Sequence, residues 1–234
     1  MAGMIFDLVV SFIVNFGIVL VSITVFFSPF IAVFWYRRRQ QIAEKRPHFN
    51  YFMEKFFHSR ESNALVATWA AAEAIVWFVI PEFLLILIMF MKVKRKVQLV
   101  TYDIIGTVVG TIIALILQLP QKTLLAVPYV YQGMIDHVQE WFHDYGIFGI
   151  FFQPFSGVPY KVFNALATDY HFFIPFFIIL AVIARMIRYL IIYEITKALY
   201  PFVHTFVRKH YAILFLVAMA IFTLLLMKIS NSYS

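Results

Sequence analysis

The chain has 234 residues, of which 63% are hydrophobic and 13% charged, and its mean hydropathy of +0.85 means that most of it cannot face water; it reads as an integral membrane protein. With no cysteine, disulfides, thiolate metal ligands and cysteine nucleophiles are excluded. The net charge of +7 falls in basic blocks between apolar runs, leaving no soluble basic domain to bind nucleic acid.

In chain order, the first apolar stretch, about Leu8 to Tyr36, exceeds the roughly 20 residues that a bilayer core requires. Without a basic leader or a small-residue cleavage site it reads as a retained span. The basic run "RRRQQIAEKR" follows. In "HFNYFMEKFFHSRES" the aromatics Phe49, Phe52, Phe56 and Phe57 recur at helical spacing. This pattern predicts either an amphipathic helix on the membrane surface or a solvated connecting loop. Residues 64–91 are apolar but contain Glu73, Pro81 and Glu82, and "KVKRK" comes next. Val97 to Leu119 forms a further span with Gly106 and Gly110 inside it. A more polar segment holds Pro120, Pro128, Asp136, Glu140 and Asp144. The stretch "FFQPFSGVPYKVFNALA", residues 151–167, is apolar yet interrupted by Pro154, Gly157, Pro159 and Lys161. Phe172 to Ile195 carries Arg185 and Arg188 in its middle, and Ala212 to Met227 closes the series.

Charge sets the expected threading. Basic residues flank 64–91 on both sides, and positive flanks favour the cytoplasm. A segment with both ends inside is expected to form a re-entrant hairpin, broken near Pro81 because proline removes a helix donor. Residues 97–119 then cross outward. The 151–167 stretch is expected to form a second hairpin from outside, broken at Pro154, Gly157 and Pro159; residues 172–197 return inward, and the last span exits. Sliding the chain by 78 residues places Pro81 over Pro159, Gly106 over Ala184 and Gly110 over Arg188. The expected fold is all-α: an inverted repeat of two re-entrant helical hairpins, each followed by a transmembrane helix, with flanking transmembrane helices. Such repeats recur in secondary transporters. The expected divisions are 1–63, a first span and interfacial segment; 64–197, the repeat core; and 198–234, a terminal span.

Ionisable residues within apolar stretches mark pathways or partners, because a charge at the bilayer centre costs at least about 2.5 kcal/mol. Arg185 and Arg188 share a helix face. With Lys161 they would suit a phosphate, which arginine clamps with two parallel bonds. Glu73 and Glu82 would serve as counter-ions or as a proton site. The plainer alternative is that the acids simply pair with these cations to pin the hairpins. The GxxxG pair, Gly106 and Gly110, reads as close packing of one repeat's helix against the other hairpin and leaves a homodimer open. No histidine lies within an apolar stretch, so no metal site, cofactor or enzymatic dyad is expected at depth.

"EAIVWFVIPEFLL" (Glu73 to Leu85), "FSGVPYKVFNALA" (Phe155 to Ala167) and "ARMIRY" (Ala184 to Tyr189) resemble, in order and spacing, the signature elements of the DedA superfamily, also called the VTT or SNARE-associated Golgi protein family. The "PYKVF" form is similar to its bacterial YqaA-like branch. The resemblance covers about residues 64–197. Ala184 stands where the family has glycine, Ser156-Gly157 where Thr-Pro is common, and Thr168 where a glycine often closes the motif. By this resemblance Glu73 matches the first-hairpin glutamate, Pro81 and Glu82 the proline-acid break, Pro159, Tyr160 and Lys161 the second-hairpin motif, and Arg185 and Arg188 the paired arginines. It implies a lipid transporter in a bacterial inner membrane, moving polyprenyl phosphate or phospholipid between leaflets with a link to protons. Arg185, Arg188, Lys161 and Tyr160 would then meet the phosphate head group, and Glu73 or Glu82 would take the proton. The alternatives are a proton-coupled transporter of a small soluble solute and a membrane assembly protein that transports nothing.

Overall fold

The computed structural model describes residues 2–43, 49–78, 86 and 96–233, and every regular element among them is helical. In chain order these are α1 (Ala2–Ala43), α2 (Phe49–Phe57), α3 (Arg60–Ile75), α4 (Lys96–Leu117), α5 (Gln121–Leu125) and α6 (Gln132–Tyr145). A 3-10 segment, Gly146–Phe152, leads into α7 (Gln153–Ser156), followed by α8 (Tyr160–Asp169), α9 (Ile174–Lys209) and α10 (Tyr211–Tyr233). Four of them are long and apolar enough to cross a bilayer: Phe6–Arg39, Val97–Leu117, Ile174–Val207 and Ile213–Tyr233. These correspond to the apolar runs at Leu8 to Tyr36, Val97 to Leu119, Phe172 to Ile195 and Ala212 to Met227, and they make the chain an all-α membrane-embedded protein. Isoleucines and phenylalanines along α1, α9 and α10 remain exposed, as side chains facing lipid should be.

The first apolar cluster joins α1, α2, α3 and α10. Trp69 of α3 is fully buried and meets Phe26, Phe27 and Trp77 with ring centroids 5.1, 5.5 and 6.4 Å away. The aromatic spacing of α2 does produce a helix, but Met53, Phe56 and Phe57 are buried against Phe34 and its neighbours in the protein interior. The apolar face of α2 is thus turned onto α1 and α3. Ser59 begins α3 as an N-cap, its hydroxyl accepting from the Ser62 N–H at 3.4 Å.

The second cluster joins α6, α8 and the start of α9, with Phe142 of α6 set edge-on to Phe163, Tyr170 and Phe172. The polar segment after α4 therefore folds back as a packed cover, anchored by buried Met134, Ile135 and Val138.

The glycine pair brings α3 and α4 into backbone contact. A Cβ on Gly106 would lie 2.0 Å from the Ala67 carbonyl oxygen, and one on Gly110 would lie 2.5 Å from that of Ala71. This corrects the expectation that the pair faces the other hairpin: both glycines serve a contact within the first half. Because α3 occupies that face, the pair supplies no free surface for a homodimer.

Two helix breaks lie near one another. The first comes at Val76, where α3 ends and Trp77 and Phe78 leave the helix. It precedes Pro81, which, with Glu82, lies outside the described residues. The second falls between α7 and α8, at left-handed Gly157 (φ 75) and extended Pro159, as the sequence led one to expect. Pro154 is not part of that break: it occupies the first turn of α7, where proline needs no donor.

Candidate functional site

The breaks bring four helices onto one buried polar cluster. From α3 comes Glu73; from α4 come Asp103, Thr107 and Thr111, one turn apart on a single face; α8 supplies Tyr160, Lys161 and Asn164; α9 supplies Arg185 and Tyr189. All nine are buried. Arg185 lies about 16 Å along α9 from its start at 1.5 Å per residue, too deep for an easy reach to either surface.

Arg185 is the hub. One guanidinium nitrogen, Nη2, donates to Glu73 Oε2. The other, Nη1, donates to Thr107 Oγ1 at 2.9 Å and lies 3.7 Å from Asp103 Oδ2. The Tyr189 hydroxyl donates to that same carboxylate oxygen, so Asp103 is shared between an ion pair and a neutral donor. The Arg185 guanidinium carbon sits 5.1 Å from the centre of the Tyr160 ring, a cation–π contact. The Tyr160 hydroxyl lies 2.9 Å from Thr111 Oγ1. Tyr160 thus fixes the guanidinium through its ring face and is itself fixed through its hydroxyl.

Lys161 does something else. Its Nζ donates to the carbonyls of Val76 at 3.3 Å and Trp77 at 2.8 Å, while Asn164 Nδ2 donates to the Ala74 carbonyl at 2.9 Å. A helix that stops in a buried environment leaves its last carbonyls without partners and with partial negative charge. Lys161 and Asn164 supply those partners from α8. The buried ammonium is therefore seated on the broken end of α3.

Of the residues singled out from sequence, Glu73, Tyr160, Lys161 and Arg185 come together. Arg188 lies three residues beyond Arg185 on α9 and is half-buried, less enclosed than Arg185. Gly157 and Pro159 form the turn that delivers Tyr160. Asp103, Thr107, Thr111, Asn164 and Tyr189 escaped the sequence reading. Asp103 sits seven residues into α4, near enough to its end to pass for a boundary residue. The signal was the four-residue spacing in "DIIGTVVGT", which puts Asp103, Thr107 and Thr111 on one stripe.

Asp103 changes the balance of the site. Among the described residues, two acids, Glu73 and Asp103, face one guanidinium, with Lys161 beside them. Among the described residues no cluster of histidine and acid side chains has the arrangement of a metal site.

Comparison with known proteins places the chain beside one relative of undefined role. Over 124 residues it is 30% identical to an uncharacterized protein of Haemophilus influenzae, a match that covers 51% of this chain and 64% of that protein, short of two thirds of the relative's length. No family model matches the chain, and no solved structure does.

Proposed function

We propose that the protein moves phosphate-bearing lipids, polyprenyl phosphate or phospholipid, between the leaflets of a bacterial inner membrane, with the Glu73–Arg185 pair as its switch. The observation that carries this reading is a guanidinium held at depth by carboxylates where two broken helices meet; ionisable groups so placed in a membrane usually serve a pathway. The resemblance to the DedA superfamily supports the same assignment, including its inverted pair of re-entrant hairpins.

The chemistry follows from competition for one guanidinium edge. With Glu73 ionised, its carboxylate occupies Arg185. A proton on Glu73 removes that charge and leaves Arg185 able to take a lipid phosphate; loss of the proton returns Arg185 to the carboxylate and expels the phosphate. The groups that bear on this exchange are Arg185 of α9, Lys161 and Tyr160 of α8, and Asp103 and Thr107 of α4. Arg188, the less enclosed arginine, is the first contact for an arriving head group. The acyl or prenyl chains stay in the bilayer throughout. This scheme assigns the chain no catalytic residue and no cofactor.

The pairing of Arg185 with Glu73 and Asp103 also favours a second reading, in which the charges only lock the helices together. Leaflet exchange in proteoliposomes separates the two. Wild type should move a fluorescent polyprenyl phosphate or phospholipid above empty vesicles, faster with a pH gradient. Arg188→Ala should lose about tenfold or more of that rate while remaining folded. If neither lipid moves while both proteins are folded, the lipid-transporter reading fails and the soluble-solute or structural reading takes its place.

A further inference from the structure

Away from the buried cluster, we infer that the cytoplasmic end of α1 holds a resident anionic phospholipid, with one acyl chain in a groove along α1 and the head group on Arg37, Arg38 and Arg60. This site is independent of the transport reading. Two cavities define it. The first, about 510 Å³, is apolar and is lined by Thr24, Ser28, Ile31 and Trp35 of α1, with Phe57 of α2 and Phe215 of α10 among its walls. The second, about 380 Å³, is lined by Arg37, Arg38, Arg60 and Glu61.

Both lie along α1. Residues 24, 28, 31 and 35 form one stripe of α1, and Arg38 continues it one turn later. The Arg38 guanidinium lies 5.6 Å from the Phe34 ring centre, and Phe34 stands edge-on to Phe56 at 5.5 Å, beside the groove wall at Phe57. Arg37 and Arg60 converge on the second cavity from α1 and α3; Arg37 Nη1 donates to Glu61 Oε1 at 2.9 Å. Among the described residues, three guanidiniums and one carboxylate line this cavity, a surplus of positive charge.

Length and charge choose the occupant. From Ile23 to Trp35 the groove runs about 18 Å at 1.5 Å per residue, close to one leaflet of a hydrocarbon core about 30 Å thick. A single acyl chain fits that span. Its head group would emerge where the basic residues of this end mark the cytoplasmic side, the face on which basic clusters beside membrane helices attract anionic lipid. Arginine forks suit a phosphodiester.

The test uses the full chain, delipidated in detergent, with lipid occupancy read by native mass spectrometry and stability by thermal midpoint. Phosphatidylglycerol should bind in preference to phosphatidylcholine and raise the midpoint. Replacing all three arginines by Arg37→Gln, Arg38→Gln and Arg60→Gln should cut that preference by at least about tenfold, whereas Lys228→Gln leaves it intact. Ala32→Phe, which fills the groove without touching charge, should lower occupancy of both lipids and serves if the triple variant does not fold. Equal binding of the two lipids by wild type overturns the proposal, as does an unaffected triple variant or an unaffected Ala32→Phe. Stabilisation by glycerol phosphate alone, equal to that by the lipid, would assign the basic pocket to a free phosphate and overturn it too.

Discussion

Arg185 holds its position only while charges of opposite sign surround it. Removing one member of a buried ion pair typically costs about 3–5 kcal/mol, because the other charge stays desolvated. Arg185→Leu leaves Glu73 and Asp103 facing each other and should lower stability by about that amount in thermal unfolding. Adding Asp103→Asn to Arg185→Leu should recover most of the loss, since the remaining Glu73 carboxylate and Lys161 ammonium then balance one another. A loss below about 1 kcal/mol for Arg185→Leu would mean that the acids are neutral in the folded protein. Glu73→Gln alone should be milder, since Asp103 still faces the guanidinium. If Glu73 is the proton site, that variant should also lose the pH dependence of lipid exchange.

Glu61 offers a titration outside the spans. Burial pushes its carboxyl up, but its own backbone N–H, the Ser59 hydroxyl and Arg37 outweigh this and hold it below the ordinary 4.5. A lowered folded value means that the ionised form stabilises the fold above about pH 4.5, and that this contribution disappears as pH falls through the lowered value. Its size is at most about 1 kcal/mol, because Arg37 is largely exposed. The difference in thermal midpoint between wild type and Glu61→Gln should be present at pH 7 and close on acidification. A constant difference down to pH 3 would refute the pairing.

Among elements, the contact between α3 and α4 is the tightest. A methyl group on Gly106 would collide with the Ala67 carbonyl, which is backbone and cannot swing aside. Gly106→Ala should therefore push the helices apart and cost about 1–3 kcal/mol. Because Glu73 and Thr107 reach Arg185 from these two helices, the same substitution should also impair the buried network, which an altered pH dependence of exchange would register. Gly17→Ala, which meets nothing within 4 Å, is the matched control.

At the scale of the whole molecule, hydrophobic run length revealed the four long helices, because a bilayer demands unbroken apolar stretches and little else resembles them. The break at Gly157 and Pro159 was equally visible, since only glycine takes φ 75 without strain and proline cannot continue a helix. The break at Val76 was not. Nothing in "AIVWF" stops a helix locally; α3 ends there with Lys161 and Asn164 waiting 84 to 90 residues away to receive its carbonyls. Asp103 was missed for a related reason: its significance lies in Arg185 and Tyr189, which a local reading cannot place beside it. Long-range polar pairing, unlike hydropathy, leaves no periodic trace in one segment.

The seating of Lys161 on the carbonyls of Val76 and Trp77 also imposes an order on biogenesis. At about 5–20 residues per second, the ribosome needs about 4–17 s to make the intervening chain. For that interval the open end of α3 has no ammonium to satisfy it and must borrow water, insertion machinery or the membrane surface. The first broken helix can settle at its final depth only after the second has emerged, so a chain ended at Pro159 should leave residues 73–78 open to protease in membrane vesicles, and supplying residues 160–234 as a separate polypeptide should close them.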